Sequence, residues 1–171
     1  MADATLAYPI ELDAAGLGRL LPHRGEMCFL QALTVFAHDH YLGIARWSPD
    51  SAILRGHFPD LPLVPGALLV EAVAQVGGAG MLAGDPYVQS MGGDFVGVLG
   101  GIRKCSFKRP VLPGEAVAIE VKCRQMTERA AMVSGLVKVG GDEAAHIDIF
   151  IINSPRAILE QHIASLRGPP R

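Results

Sequence analysis

Cysteine is scarce in this 171-residue chain, and its spacing is irregular. The three residues, Cys28, Cys105 and Cys123, are odd in number and form no C-x-x-C pair. A disulfide framework or a structural zinc site needs paired or closely spaced cysteines. The cysteine pattern therefore argues against both, and it fits the reducing environment of the cytoplasm.

The chain also has little net charge and no leader-like start. Its formal net charge is −2, and 19% of its residues are charged while 50% are hydrophobic. This is the composition of a globular protein, without the basicity that nucleic-acid binding requires. The first residues include acids, and no basic segment precedes an apolar one as in a signal peptide. We expect one domain over residues 1–171, with its core between about residues 20 and 153.

One apolar run is long enough to be compared with a membrane span. Residues 66–84 are almost wholly apolar, and a helix of that length would be about as long as a bilayer is thick. Glu71 and Gln75 lie inside the run, and a charge at the centre of a membrane is costly. The sequence therefore favours a helix that is buried in protein.

The rest of the chain predicts an α+β fold. A short helix is expected after Asp13, and another over residues 155–167 with Ser154 as its N-cap. Alternating apolar residues predict strands at 28–38, 40–47, 95–99, 102–107, 116–127, 130–139 and 146–153. Turns are expected at Gly92-Gly93, Gly100-Gly101, Pro113-Gly114-Glu115 and Gly140-Gly141-Asp142. We expect an antiparallel meander that curves around the long helix.

Glu71 is the only ionisable residue between Pro65 and Ala83. Burial of an unpaired carboxylate is costly, so a buried Glu71 needs a structural or a functional reason. Desolvation would raise its pKa and favour the protonated acid, which can donate a proton near neutral pH. Gln75 lies one turn later on the same helix face. Glu71 is therefore either a proton donor or a structural carboxylate that is hydrogen-bonded to Gln75 or the backbone.

His57 lies on a stiff loop just ahead of this helix. Three prolines within residues 59–65 prevent a regular helix or a central strand there. A lone histidine is more often structural, but imidazole is the usual general base near neutral pH, so His57 and Glu71 form a candidate base–acid pair. The first amides of the helix, beginning at Gly66, lack intrahelical partners and are suited to bind a developing oxyanion.

These residues resemble a known signature. The segment GHFPDLPLVPGALLVEAVAQ, residues 56–75, is similar to the signature of FabZ-type beta-hydroxyacyl-acyl carrier protein dehydratases, which have the hot-dog fold. That signature has a His-Phe-Pro triplet, a Pro-Gly at the helix start, a Glu in the helix and then an Ala-Gln. Residues 21–24 (LPHR) and 107–114 (FKRPVLPG) match two further family motifs, and all three occur in the family's order.

The resemblance implies a reaction and an assembly. His57 would be the catalytic histidine and Glu71 the catalytic carboxylate, contributed by different subunits of a homodimer, often within a homohexamer. The substrate would be a 3-hydroxyacyl thioester of acyl carrier protein or CoA, in a tunnel lined by Phe58, Pro65 and Gln75. Gly66 would bind the thioester carbonyl. No metal, flavin or nicotinamide is expected, because the thioester itself acidifies C2.

Some positions depart from the family pattern. Asp60 replaces the usual Gly, Leu63-Val64 replace a common Ile-Met, and residues 25–32 and 84–93 are unusual. These positions surround the expected pocket, so they bear on acyl-chain length and carrier more than on the chemistry.

Three other functions compete with dehydration. A hot-dog thioesterase would place an acid on this helix, but it would not need His57 in a His-Phe-Pro loop. A CoA-linked enoyl hydratase would run the reverse reaction. A non-catalytic acyl-binding protein would have no use for a buried carboxylic acid.

A basic run lies on the expected strand after Gly100-Gly101. Its members are Arg103, Lys104, Lys108 and Arg109. The run either steers an acidic carrier protein or CoA to the site, or is a solvated sheet edge. His23 is expected to be structural, and residues 77–80, GGAG, are expected to let another backbone approach the helix.

Overall fold

The computed structural model describes residues 6–92 and 94–167 of the chain. The helices are α1 (Ala14–Leu20), α2 (Ala52–Arg55), α3 (Gly66–Gly84), α4 (Pro86–Ser90) and α5 (Arg156–Arg167). The strands are β1 (Ile10–Asp13), β2 (Leu30–Ala37), β3 (His40–Ala45), β4 (Phe95–Phe107), β5 (Val117–Thr127), β6 (Ala130–Val139) and β7 (Asp142–Pro155). A 3-10 turn covers Gly25–Met27.

The seven strands form one sheet in the order β1-β2-β3-β5-β6-β7-β4. Every pairing is antiparallel, as the sequence predicts. Strands β5, β6 and β7 follow one another as a meander, but β4 crosses to the far edge and pairs with β7. Since α3 packs against strands β2 to β7, the sheet wraps around this helix.

The packing of α3 against the sheet depends on small residues in the helix. A Cβ atom on Gly77 would lie 2.8 Å from Val133 Cγ1, and one on Gly80 would overlap the ring of Tyr41. Val133 and Tyr41 are fully buried. Side chains of the sheet, and not another backbone as the sequence suggested, therefore fill the space beside these glycines. Close packing of this kind tolerates little added volume.

The local predictions are confirmed for most elements. Asp13 caps α1, because its carboxylate accepts a hydrogen bond from the Gly16 amide at 2.8 Å. The hairpin β2–β3, the long helix and the C-terminal helix also occur where they were expected. Pro155 ends β7, so α5 starts at Arg156, one residue later than predicted.

Other predictions were incomplete or wrong. The Gly100-Gly101 turn is not formed, since β4 runs without interruption through both residues, with register shifts at Leu99/Gly101 and Ile102/Lys104. Strand β1, helix α2 and helix α4 have only four or five residues, too few to show a period, and were missed. Gly92 has a positive φ of 53°, as a turn requires, while Gly93 lies outside the described residues.

Helix α3 is the one helix in the described part of the chain with the length and hydropathy of a membrane span. Within an apolar stretch of 18 residues of this helix, 56% is buried inside the protein. Its contacts with the sheet are those of a core helix, in agreement with the sequence prediction.

Candidate active site

Glu71 lies at the centre of a small polar cluster on α3. Its Oε1 accepts a hydrogen bond of 2.9 Å from Gln75 Nε2, and it lies 3.1 Å from His23 Nε2. Gln75 Nε2 also donates to the carbonyl of Met27 at 2.8 Å. The side chain of Glu71 is 28% exposed in the single chain, so it is only partly buried and not enclosed as predicted. Both of its protein partners approach the same oxygen, which leaves Oε2 without one among residues 6–92 and 94–167.

His23 is the functional candidate that the sequence analysis assigned to structure alone. It belongs to the loop between α1 and the 3-10 turn, 48 positions before Glu71, and the loop brings it into contact with the carboxylate. Its Nδ1, together with Gln75 Oε1, is buried with no hydrogen-bond partner among the described residues. Unsatisfied buried polar atoms are uncommon and often mark functional sites. The only sequence signal for His23 is its place in the Leu-Pro-His-Arg motif.

A cavity of about 560 Å³ opens beside Glu71. One face of α3 lines it with Glu71, Ala74, Gln75, Gly78 and Met81, and β4 lines it with residues 95–99. The volume is within the usual range for a small-molecule pocket. A Cβ atom on Gly78 would meet nothing within 4 Å, so this glycine faces open space. The cavity therefore joins a carboxylate to a groove that is lined by both apolar and polar residues, with Arg24 and Asn153 among the polar ones.

His57 lies outside this cavity within the single chain. It is exposed, and its backbone amide donates to Leu54 O at 3.1 Å, just after α2. Its Nδ1 lies 3.3 Å from Leu63 O. Because a carbonyl oxygen can only accept, this contact requires a proton on Nδ1. In the neutral imidazole the lone pair then lies on Nε2, which is the tautomer of a general base that acts through Nε2.

The N-terminus of α3 begins at Gly66, with Pro65 as its N-cap. The amide of Leu68 donates to Pro65 O at 2.9 Å, while the amide of Gly66 has no acceptor among the described residues. A Cβ atom on Gly66 would lie 2.7 Å from Cζ of Phe107. The glycine therefore makes room for the Phe107 ring, a reason for its presence that the sequence did not indicate.

The remaining predicted residues are those of the expected substrate tunnel and those of the basic run. Gln75 lines the cavity, whereas Phe58 and Pro65 lie outside it in the single chain. Arg103 and Lys104 are exposed on the edge strand β4. Lys108 is also exposed and lies 3.4 Å from Glu143, whereas Arg109 is partly buried and bound to Glu115 at 3.0 Å.

The three cysteines, Cys28, Cys105 and Cys123, are free. Burial, with smaller contributions from Asp85 and Asp39, raises the pKa of Cys123 to about 12. Its thiol is therefore protonated at neutral pH and is not a nucleophile.

The chain is similar in sequence to a known family and to enzymes within it. Residues 21–148 match the FabA-like domain family. The 3-hydroxyacyl-[acyl-carrier-protein] dehydratase FabZ of Koribacter versatilis is 32% identical over 146 residues, which are 85% of this chain and 91% of that protein. The enzyme of the same name from Halorhodospira halophila is 33% identical over 138 residues, covering 80% and 89%.

A solved structure shows the same fold. The dehydratase heterocomplex ApeI:P from Xenorhabdus doucetiae superposes with a TM-score of 0.71 at 19% identity, covering 92% of this chain and 99% of that one. A long helix enclosed by an antiparallel sheet defines a hot-dog protein, as predicted. The chain belongs to the FabA-like family, and within it to the FabZ-type dehydratases, which are hydro-lyases.

Proposed function

We propose that this protein removes water from 3-hydroxyacyl thioesters of acyl carrier protein and yields trans-2-enoyl thioesters for acyl-chain synthesis. Family membership supports the reaction. The observation that carries the proposal is the polar cluster in which His23 and Gln75 hold one oxygen of Glu71 beside a cavity of about 560 Å³. Free cysteines fit a cytoplasmic enzyme.

Two subunits complete the site in this proposal. His57 and Glu71 make no contact within the described residues of one chain, and the proposal is that the base reaches the cavity from a second copy. The edge strand β4 exposes Leu99, Ile102 and Phe107, which are 47%, 52% and 51% exposed. A strand edge with exposed apolar residues favours pairing with another chain. A homodimer, alone or within a trimer of dimers, covers these apolar side chains and the groove.

The reaction follows from the two side chains. Nε2 of His57 takes the proton from C2, and the electron pair moves towards the thioester carbonyl, which the Gly66 amide and the helix dipole stabilise. In this proposal Oε2 of Glu71 delivers the proton to the leaving hydroxyl, since Oε1 is occupied by the hydrogen bond from Gln75. As the enolate collapses, the C3–O bond breaks and the hydroxyl leaves as water with that proton. Transfer of the proton from His57 back to Glu71 restores the enzyme.

The test is turnover of purified protein on 3-hydroxyacyl thioesters of several chain lengths, followed by the ultraviolet absorbance of the conjugated product. We expect His57→Ala and Glu71→Gln each to lower kcat by about 10²-fold or more, since each removes one proton-transfer group. His38→Ala and Glu128→Gln, at exposed positions, are the matched controls and should retain activity.

The alternatives give different products. Release of free thiol without the enoyl product indicates a thioesterase, and a clear preference for CoA thioesters indicates a CoA-linked hydratase. Wild-type turnover in either His57→Ala or Glu71→Gln contradicts the proposal. Binding of acyl thioesters with no turnover indicates a non-catalytic acyl-binding protein.

A further inference from the structure

Glu26 is an exposed carboxylate that binds the start of helix α2. Ser51 Oγ donates to its Oε2 at 2.8 Å, and the amides of Ala52 and Ile53 donate to Oε1 and Oε2 at 3.2 Å each. Ser51 is the N-cap of α2, but its own side chain makes no capping hydrogen bond. Glu26 therefore supplies the missing cap, with a charge of the sign that a helix N-terminus favours.

Helix α2 in turn determines where His57 lies. The helix has four residues, and the His57 amide is bonded to Leu54 O in its last turn. The loop backbone around His57 therefore follows α2, while Leu63 O fixes the imidazole at Nδ1. A shift of about 1 Å in a reacting group can lower turnover by up to about 10²-fold.

The turn that carries Glu26 is also bonded to the carboxylate cluster. The next residue, Met27, accepts the hydrogen bond from Gln75 Nε2, which also donates to Glu71. The 3-10 turn Gly25–Met27 thus contacts, through adjacent residues, both the segment before His57 and the side chain that holds Glu71.

The charge state of Glu26 at neutral pH suits its contact with α2. The Ser51 hydroxyl, together with the Ala52 and Ile53 amides, holds the pKa of Glu26 below its ordinary value. The side chain is therefore ionised at neutral pH, where it can accept all three hydrogen bonds.

We propose that Glu26 is a positioning residue for the dehydration, because it fixes α2 and hence the His57 loop to the turn at Met27. The inference rests on the proposed function, in which His57 and Glu71 of one chain serve different sites of a dimer. Glu26 then acts on the site to which its own chain supplies His57.

The first experiment compares Glu26→Ala with Glu128→Ala, a matched change on the exposed β5–β6 turn. Glu26→Ala should lower kcat by about 10-fold or more with little change in KM, because it displaces the base and leaves the Glu71 cavity intact. Glu26→Gln, which keeps one oxygen acceptor, should lose less. The double variant Glu26→Ala/Ser51→Ala should lose no more than Glu26→Ala, since both changes remove the same contact.

The second experiment separates positioning from general support of the fold. A mixed dimer is made from one chain with His57→Ala and one with Glu71→Gln, isolated through two affinity tags. Its one complete site takes His57 from the Glu71→Gln chain. Glu26→Ala placed in that chain should lower turnover, and the same change in the His57→Ala chain should leave it unchanged.

If Glu26→Ala lowers turnover equally in either chain of the mixed dimer, or lowers it in neither, the proposed role of Glu26 is wrong. If the parent mixed dimer is inactive although it forms, the shared site in the proposed function fails instead. The Glu26 proposal is then decided by the nuclear magnetic resonance signals of the His57 imidazole in the homodimer. These signals should shift in Glu26→Ala and not in Glu128→Ala, and unshifted signals with wild-type kcat contradict it.

Discussion

At the scale of single residues, the contacts around Glu71 explain why an acid can be retained on a core helix. Gln75, buried on the same helix face, bridges the carboxylate and the Met27 carbonyl. His23 approaches the same oxygen from a separate loop. The carboxylate is thus held in one orientation, which a proton donor needs and which a solvated surface glutamate lacks.

Glu26 gives a residue-scale prediction about pH. Because its pKa is lowered in the folded protein, its contribution to stability is complete above the ordinary glutamate pKa of about 4.3 and is lost as the pH falls through the lower folded value. We therefore expect Glu26→Gln to have a lower Tm than wild type at pH 7, with the difference shrinking towards zero as the pH falls below about 4. Thermal unfolding of both proteins over a range of pH checks this. A Tm difference that grows as the pH falls would contradict the prediction.

At the scale of elements, regular periodicity identified the long helix and most strands. Strand β6, whose residues alternate between partly and fully buried, was predicted with its observed ends. Elements of four residues, such as β1 and α2, carry too little pattern to be found in this way.

Contacts between distant segments limited the prediction of the site. His57 and Glu71 were identified by residue type and by the family signature, and Gln75 by its helical spacing. The contact of His23 with Glu71 depends on how the loop after α1 packs against α3, which no local pattern encodes. The clamp by Glu26 on α2 likewise joins segments 26 positions apart.

Gly78 gives a prediction at the scale of helix α3. Its missing side chain leaves the cavity open beside Ala74 and Met81. Gly78→Leu should lower turnover of long acyl substrates more than that of short ones, because the new side chain occupies the groove. The fold should remain intact, since leucine has the higher helix propensity. Turnover measured over a series of chain lengths checks this.

The matched control is Gly18→Leu on α1, where a new Cβ also meets nothing within 4 Å. It should leave the chain-length profile unchanged. A uniform loss over all chain lengths in Gly78→Leu would mean that the groove does not hold the acyl chain.

At the scale of the whole molecule, the approach of a partner depends on the net charge and on the charged residues of the edge strand β4. The net charge is only −2, so any steering of an acidic carrier must come from a local patch. Arg103 and Lys104 are exposed on β4, the edge strand that also lines the cavity with residues 95–99. The basic pair therefore lies on the strand that leads to the proposed site.

Reversal of this pair tests the steering. Arg103→Glu/Lys104→Glu should raise KM for the carrier-bound substrate and spare a short thioester mimic, because the mimic has no acidic surface. Lys122→Glu/Arg124→Glu makes the same charge change at exposed positions on β5 and is the control. The measurement is steady-state kinetics with both substrates. Equal changes in KM for the two substrates would favour a solvated sheet edge without a role in steering.

The most direct measurement of the central claim is activity recovered by subunit exchange. Inactive His57→Ala and Glu71→Gln proteins are mixed in equal amounts under conditions that exchange subunits. If His57 and Glu71 of different chains form each site, half of the dimers are mixed and each has one complete site, so turnover should reach about a quarter of the wild-type value. Mixed dimers that form but remain as inactive as their parents would contradict the account.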